Sequence, residues 1–120
     1  MKAIEVLSKM FEARDSIHFA HLNTTSYAEH KALGEFYDKW LDLVDGFVET
    51  YQGRYARING SITINAVSGL DAEKYIGTLR KFLLEDAMSI FNPAMDIDLA
   101  NIVADMISLV NHTLYKLTLK

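Results

Sequence analysis

The feature that most constrains this chain is one apolar seam. Leu33, Tyr37, Trp40, Val44, Phe47 and Tyr51 recur at alternating spacings of four and three. That is the period of one face of an α-helix. Ser26-Tyr27-Ala28-Glu29 just before it has the form of a capping box, a hydroxyl three residues ahead of a glutamate. Gly53 offers a C-terminal stop. The pattern predicts a helix to about Gln52, at about 26 residues roughly 39 Å long. Lys31, Glu35, Asp38, Asp42, Asp45 and Glu49 run beside the seam as a mostly acidic stripe.

Three further helices follow from the same test. From about Ala3 to Leu22, Ile4, Leu7, Phe11, His18 and His21 form one stripe and Val6, Met10, Ala13, Ile17 and Ala20 a second. So wide an apolar face is packed on more than one side. Phe19 falls on the remaining side, beside Glu12 and Ser16, where exposure to solvent is expected. A third helix is predicted from about Ala72 to Ile90, capped by Asp71 or Ser68, with Tyr75, Ile76, Leu79, Phe82, Leu83 and Ala87 inward; Asn92-Pro93 stops it. A fourth runs from about Ile97 to Leu117 after an Asp96 cap, with Leu99, Ile102, Val103, Met106, Val110 and Leu117 as its core face. Residues 53–70 connect the halves. Asn59-Gly60 between isoleucines reads as a hairpin turn, and an ordered loop fits equally. The outer two loops are short, so each joins antiparallel neighbours. The expectation is a single domain over residues 1–120: an all-α, ferritin-like four-helix bundle with one long crossover between helices 2 and 3.

Composition agrees. Half of the 120 residues are hydrophobic, and six Gly and one Pro leave little that favours disorder. Without cysteine there is neither a disulfide nor a thiolate metal site, which fits a cytoplasmic location. Neither a signal peptide nor a membrane span is expected. The net charge of −4 and the absence of a Lys/Arg run give nucleic acid no obvious footing.

Metal-ligand residue types gather between positions 18 and 49. His18, His21 and His30 lie near one end of the first two helices, and Asp45 and Glu49 near the other end of the second. His30 shares a face with Leu41 and Val48 and lies about 60° from Asp45. The fifteen residues from His30 to Asp45 span roughly 22 Å, too far for one ion within one chain. Two copies of this helix packed antiparallel bring His30 of one against Asp45 and Glu49 of the other, with His21 beside His30. Such an imidazole–carboxylate set suits iron(II), zinc or manganese.

The pattern His30-x14-Asp45-x3-Glu49 resembles the miniferritin (Dps) family of iron-oxidising proteins, and the fourth helix is similar to that family's last. The resemblance implies His21, His30, Asp45 and Glu49 as metal ligands, with His18 competing for the place of His21. It implies a homo-oligomer with the site between subunits, and iron as the cofactor and stored product. The family's Asp four residues after the second His is here Gly34; Glu35 and Asp38 are the nearest substitutes. The crossover is shorter than in typical members, and the basic tail that some members use on DNA is absent.

Plainer readings stand beside these. A histidine on an apolar stripe is commonly a hydrogen-bonded core residue. An acidic stripe is commonly a solvated face, as is the row Asp98, Asn101, Asp105, Ser108 and His112 on the fourth helix. Trp40, Tyr37 and Tyr51 read as core or interface. No Glu-x-x-His motif supports an intrachain di-iron site. The leading expectation is therefore iron binding and oxidation between subunits. The alternative is a non-enzymatic bundle for self-assembly or partner binding. A metal-dependent hydrolase is a third and weaker reading.

Overall fold

A computed structural model describes residues 1–65 and 71–119. It is all-helical: α1 (Ala3–Asn23), α2 (Tyr27–Arg54), α3 (Ala72–Glu85) and α4 (Ile97–Leu117), with a short 3-10 turn at Ala87–Ile90 between the last two. No strand occurs among the described residues. The Asn59-Gly60 pair therefore turns a loop, not a hairpin.

Local chemistry sets the helix starts. The Ser26 hydroxyl accepts the Glu29 amide at 3.2 Å, and Asp71 accepts the Lys74 amide at 3.1 Å. Each satisfies one of the free N–H groups of a first helical turn. Asp71 thus supplies the α3 cap; Ser68, its alternative, lies outside the described residues. Asp96 occupies the α4 cap position, but its side chain makes no cap bond. It is spent elsewhere, as shown below. The predicted single helix over 72–90 breaks at Asp86, and its last turn tightens to 3-10.

Paired residues fix the directions. His21 meets His30, and the Trp40 indole donates to the Met10 carbonyl at 2.9 Å, so α1 and α2 are antiparallel. Lys116 meets Glu35 while Arg54 and Tyr55 meet Asp96, so α4 is antiparallel to α2. α3 returns along α4. The core between them holds Val6, Met10, Ile17, Leu33, Phe36, Trp40, Phe47, Ile76, Leu79, Leu83, Leu99, Met106 and Leu117, all essentially without solvent contact. On the expected apolar faces, Ile4, Phe11, Ala20, His21, Tyr37, Tyr51, Tyr75 and Ile102 are only half-buried and His18 is exposed. The Asp98–His112 row is exposed throughout, the solvated face the sequence suggested. No helix is long and apolar enough to cross a membrane.

Beyond α2 the chain runs along α1. The Ser8 hydroxyl accepts the Thr63 amide at 3.0 Å, and Glu12 accepts the Asn65 amide at 3.2 Å. Glu12 also takes Lys9 Nζ at 3.1 Å and the Tyr75 hydroxyl at 3.4 Å. Ser8, Glu12 and Ser16 are thus a buried polar stripe, not the solvent side expected for Glu12 and Ser16; Glu12 is 9% exposed. Phe19, 52% exposed, does face solvent. Gly60 turns at φ +127°, where a Cβ would stand 3.0 Å from Ile4. Both the backbone angle and the close approach call for glycine there.

Candidate functional site

The residues of the sequence-based site divide between two places. At the α1–α2 turn, His21 and His30 form a reciprocal latch. His21 Nδ1 donates to the His30 carbonyl at 2.6 Å, and His30 Nδ1 donates to the His21 carbonyl at 2.7 Å. A carbonyl only accepts, so both rings carry their proton on Nδ1. The rings stack with centroids 3.9 Å apart and planes 16° from parallel. His18 stacks on Tyr37 at 4.2 Å, and Tyr27 lies beyond His30 at 6.3 Å. The result is a run of π-faces across the turn end of the hairpin.

Gly34 makes room for this. A Cβ on Gly34 would lie 2.8 Å from His21 Cε1 and 3.0 Å from its Nδ1. The position where the miniferritin comparison places a carboxylate is therefore the space under an imidazole. Glu35, one substitute, forms an ion pair with Lys116, whose hydrogen bond holds its carboxyl below the ordinary glutamate range. Asp38, the other, is exposed, as are Asp45 and Glu49 further along α2.

Ligand geometry follows. With Nδ1 donating, each latched ring keeps its Nε2 lone pair, the tautomer seen when a metal-binding histidine donates its other N–H to a carbonyl. The in-plane lone pairs of two stacked rings, however, lie in separate planes one stacking distance apart. One ion about 2 Å from each nitrogen cannot lie in both planes. In this arrangement either ring could offer a single ligand, but the two do not chelate together. Among the described residues no three His, Asp or Glu side chains gather as a metal-holding group. The structure brings together His18, His21 and His30 and leaves Asp45 and Glu49 apart from them, as helix length requires within one chain.

Two polar nodes were not read from sequence. Asp96, 3% exposed, accepts Arg54 Nε at 2.8 Å, the Tyr55 hydroxyl and the Asn92 amide at 3.1 Å. The Tyr55 hydrogen bond, then Arg54 and Asn92, hold its carboxyl below the usual aspartate range against desolvation. The other is Glu12. Burial pushes its carboxyl up, but hydrogen bonds from Lys9, the Asn65 amide and Tyr75 outweigh that and leave it lowered. Burial pushes the Tyr75 hydroxyl up to about 12, with the Glu12 charge adding to it and Ser16 opposing. For Glu12 a signal existed: Ser8, Glu12 and Ser16 recur every four residues, a stripe that a covering segment could use. For Asp96 there was none, since its side-chain partners Arg54 and Tyr55 come from over forty residues away.

Comparison with known proteins corrects the family assignment. Over 56 residues the chain is 41% identical to an uncharacterized 14.6 kDa protein of the mobD-ri intergenic region of Enterobacteria phage T4. That match covers 47% of this chain and 44% of the phage protein, so the chain spans less than half of its relative's length. No solved structure matches. Residues 21–117 match a family other than the miniferritins, so the Dps resemblance drawn from His18 to Glu49 does not hold. Three matching positions on one amphipathic helix are too few to carry a family, and Gly34, where that family has a carboxylate, lies under the His21 ring. The match spans the latch, all of α2 and α3, and α4: the chain belongs to the family of unknown function DUF5856.

Proposed function

We propose that this protein is a non-enzymatic helical-bundle module that pairs with a second copy of itself through the outer flank of the α1–α2 hairpin. The observation that carries this reading is the latch: the histidines knit the hairpin into a rigid face instead of converging on a site. Along that face His30, Tyr37, Leu41 and Val48 follow one another at helical spacing, each only half-buried by its own chain. Beside them the exposed stripe of α2 is mostly acidic, through Glu35, Asp38, Asp42, Asp45 and Glu49. Lys31 stands near its start and Asp42, Asp45 and Glu49 near its end, all exposed. Antiparallel pairing of two α2 helices sets Lys31 of each against Asp45 and Glu49 of the other, the complementarity that favours one register. The helix directions are those of a bundle with a single long crossover between α2 and α3, and we read the fold as ferritin-like on that ground.

Sedimentation equilibrium over a wide range of concentrations tests the pairing. A reversible dimer is expected, and Leu41→Glu shifts it to monomer with the helical content retained. A wild-type protein that stays monomeric at every concentration overturns it.

A second reading is favoured by the Nδ1–H tautomer of both rings. In it a divalent ion such as iron(II), zinc or manganese sits at the dyad, held by His21 or His30 of one copy and Asp45 and Glu49 of the other. It predicts metal that co-purifies with the dimer and is lost in Asp45→Ala. Iron(II) oxidised no faster with the protein than without it removes the ferroxidase form of this reading.

A further inference from the structure

The loop that leaves α2 folds back over the start of α1 and encloses a cleft of about 240 Å³. Ile4 and Ile58 supply apolar wall, and Tyr51 and Tyr55 lie together with ring centroids 4.9 Å apart. Lys2 and Arg57 enter from separate segments. Sixteen acidic residues outnumber twelve Lys and Arg in this chain, yet no carboxylate lines the cleft among the described residues. Neighbouring cations are committed: Arg54 to Asp96 and Lys9 to Glu12. Lys2 and Arg57 make no ion pair among the described residues. Glu5, which accepts the Lys2 amide at 3.2 Å, lines the adjacent cleft and not this one.

Two cations without an ion pair among the described residues, lining one cleft with two aromatic rings in an acidic protein, call for an anion with a flat body. We propose that this cleft binds a phosphomonoester carried on a planar ring, of which a nucleoside monophosphate is the common form. The Arg57 fork and Lys2 Nζ hold the phosphate oxygens, the fork giving direction and the ammonium charge. The ring lies along the tyrosine wall, where π-faces accept any base. Pockets of this kind join a mostly apolar lining to a few placed polar groups. The cleft is at the end of the hairpin opposite the His21–His30 latch and stands independently of self-pairing.

The test is an amide-shift titration of the full chain with AMP, adenosine and inorganic phosphate in parallel. AMP is expected to saturate shifts at Lys2, Ile4 and residues 55–59, and to bind at least about tenfold tighter than adenosine or phosphate alone. Arg57→Glu lowers AMP affinity by about tenfold or more, while Lys74→Glu, far from the cleft, leaves it unchanged. Arg57→Gln removes the charge without reversing it and carries the same direction should the charge reversal disturb the loop. The proposal is overturned by AMP shifts that do not saturate, by shifts that survive both Arg57 variants, or by adenosine or phosphate binding as tightly as AMP.

Discussion

At position 34 the missing side chain has two opposite consequences for stability, and their balance is measurable. A glycine inside an exposed stretch of helix costs about 1 kcal/mol relative to alanine, so Gly34→Ala would ordinarily stabilise. Here the added carbon meets His21 Cε1 at 2.8 Å, and the ring is held on both sides by the latch and the stack. Overpacking of this kind costs about 1–3 kcal/mol. Gly34→Ala is therefore expected to destabilise in urea unfolding, and its effect should turn neutral or favourable in a His21→Ala background. A double-mutant cycle reads that coupling directly; the same cost in both backgrounds would sever the glycine from the imidazole. The sequence could show that histidines and a glycine sit near one helical turn. It could not show that one occupies the space of the other, because the approach of α1 to α2 sets that distance.

Among the elements, the crossover was the least legible and α2 the most. α2 carries its own period and cap, so its start was read to the residue; it runs through Gly53, the expected stop, and ends at Arg54 with Tyr55 as its cap. The crossover has no period. What holds it is a polar stripe on α1 whose partners are backbone amides, and no side-chain pattern in the crossover announces those. This stripe gives the bundle a pH signature. Glu12 folds with its carboxyl below the ordinary 4.5, so its contribution is present above that value and lost as pH falls beneath it. Tyr75 folds with its hydroxyl raised from 10.0 to about 12, so its contribution is complete below pH 10 and lost as pH rises through that interval. Melting temperature followed by circular dichroism should fall at both extremes, with Glu12→Gln flattening the acid limb and Tyr75→Phe the alkaline one. The helix starts give a second contrast. Ser26→Ala removes a cap worth about 1 kcal/mol. Asp96→Ala removes a buried carboxylate that joins the end of α2 to the start of α4, and should lower the melting temperature further than Ser26→Ala does. Equal losses would reduce Asp96 to an ordinary cap.

For the whole molecule, the all-helical class and the order of four helices followed from the spacing of apolar residues, since a helix buries one stripe and α4 was bounded by its own pattern at Ile97 and Leu117. Family membership did not follow, because His30, Asp45 and Glu49 constrain one face of one helix and say nothing of what their side chains meet. The same face, however, carries a prediction that no single chain can satisfy. Lys31 at one end of α2 and Asp45 at the other are both exposed and roughly 21 Å apart along the axis, so within a protomer they scarcely interact. Across an antiparallel pair they become neighbours, twice, by symmetry. Asp45→Lys then sets two pairs of like charges together and should weaken the dimer in sedimentation equilibrium, more at low salt than at high. Lys31→Asp does the same. The double exchange, Lys31→Asp with Asp45→Lys, restores opposite charges at both places without changing net charge, and should recover most of the lost affinity. In a parallel pairing, or in a contact that avoids α2, the two single variants would act independently and the double variant would show their sum.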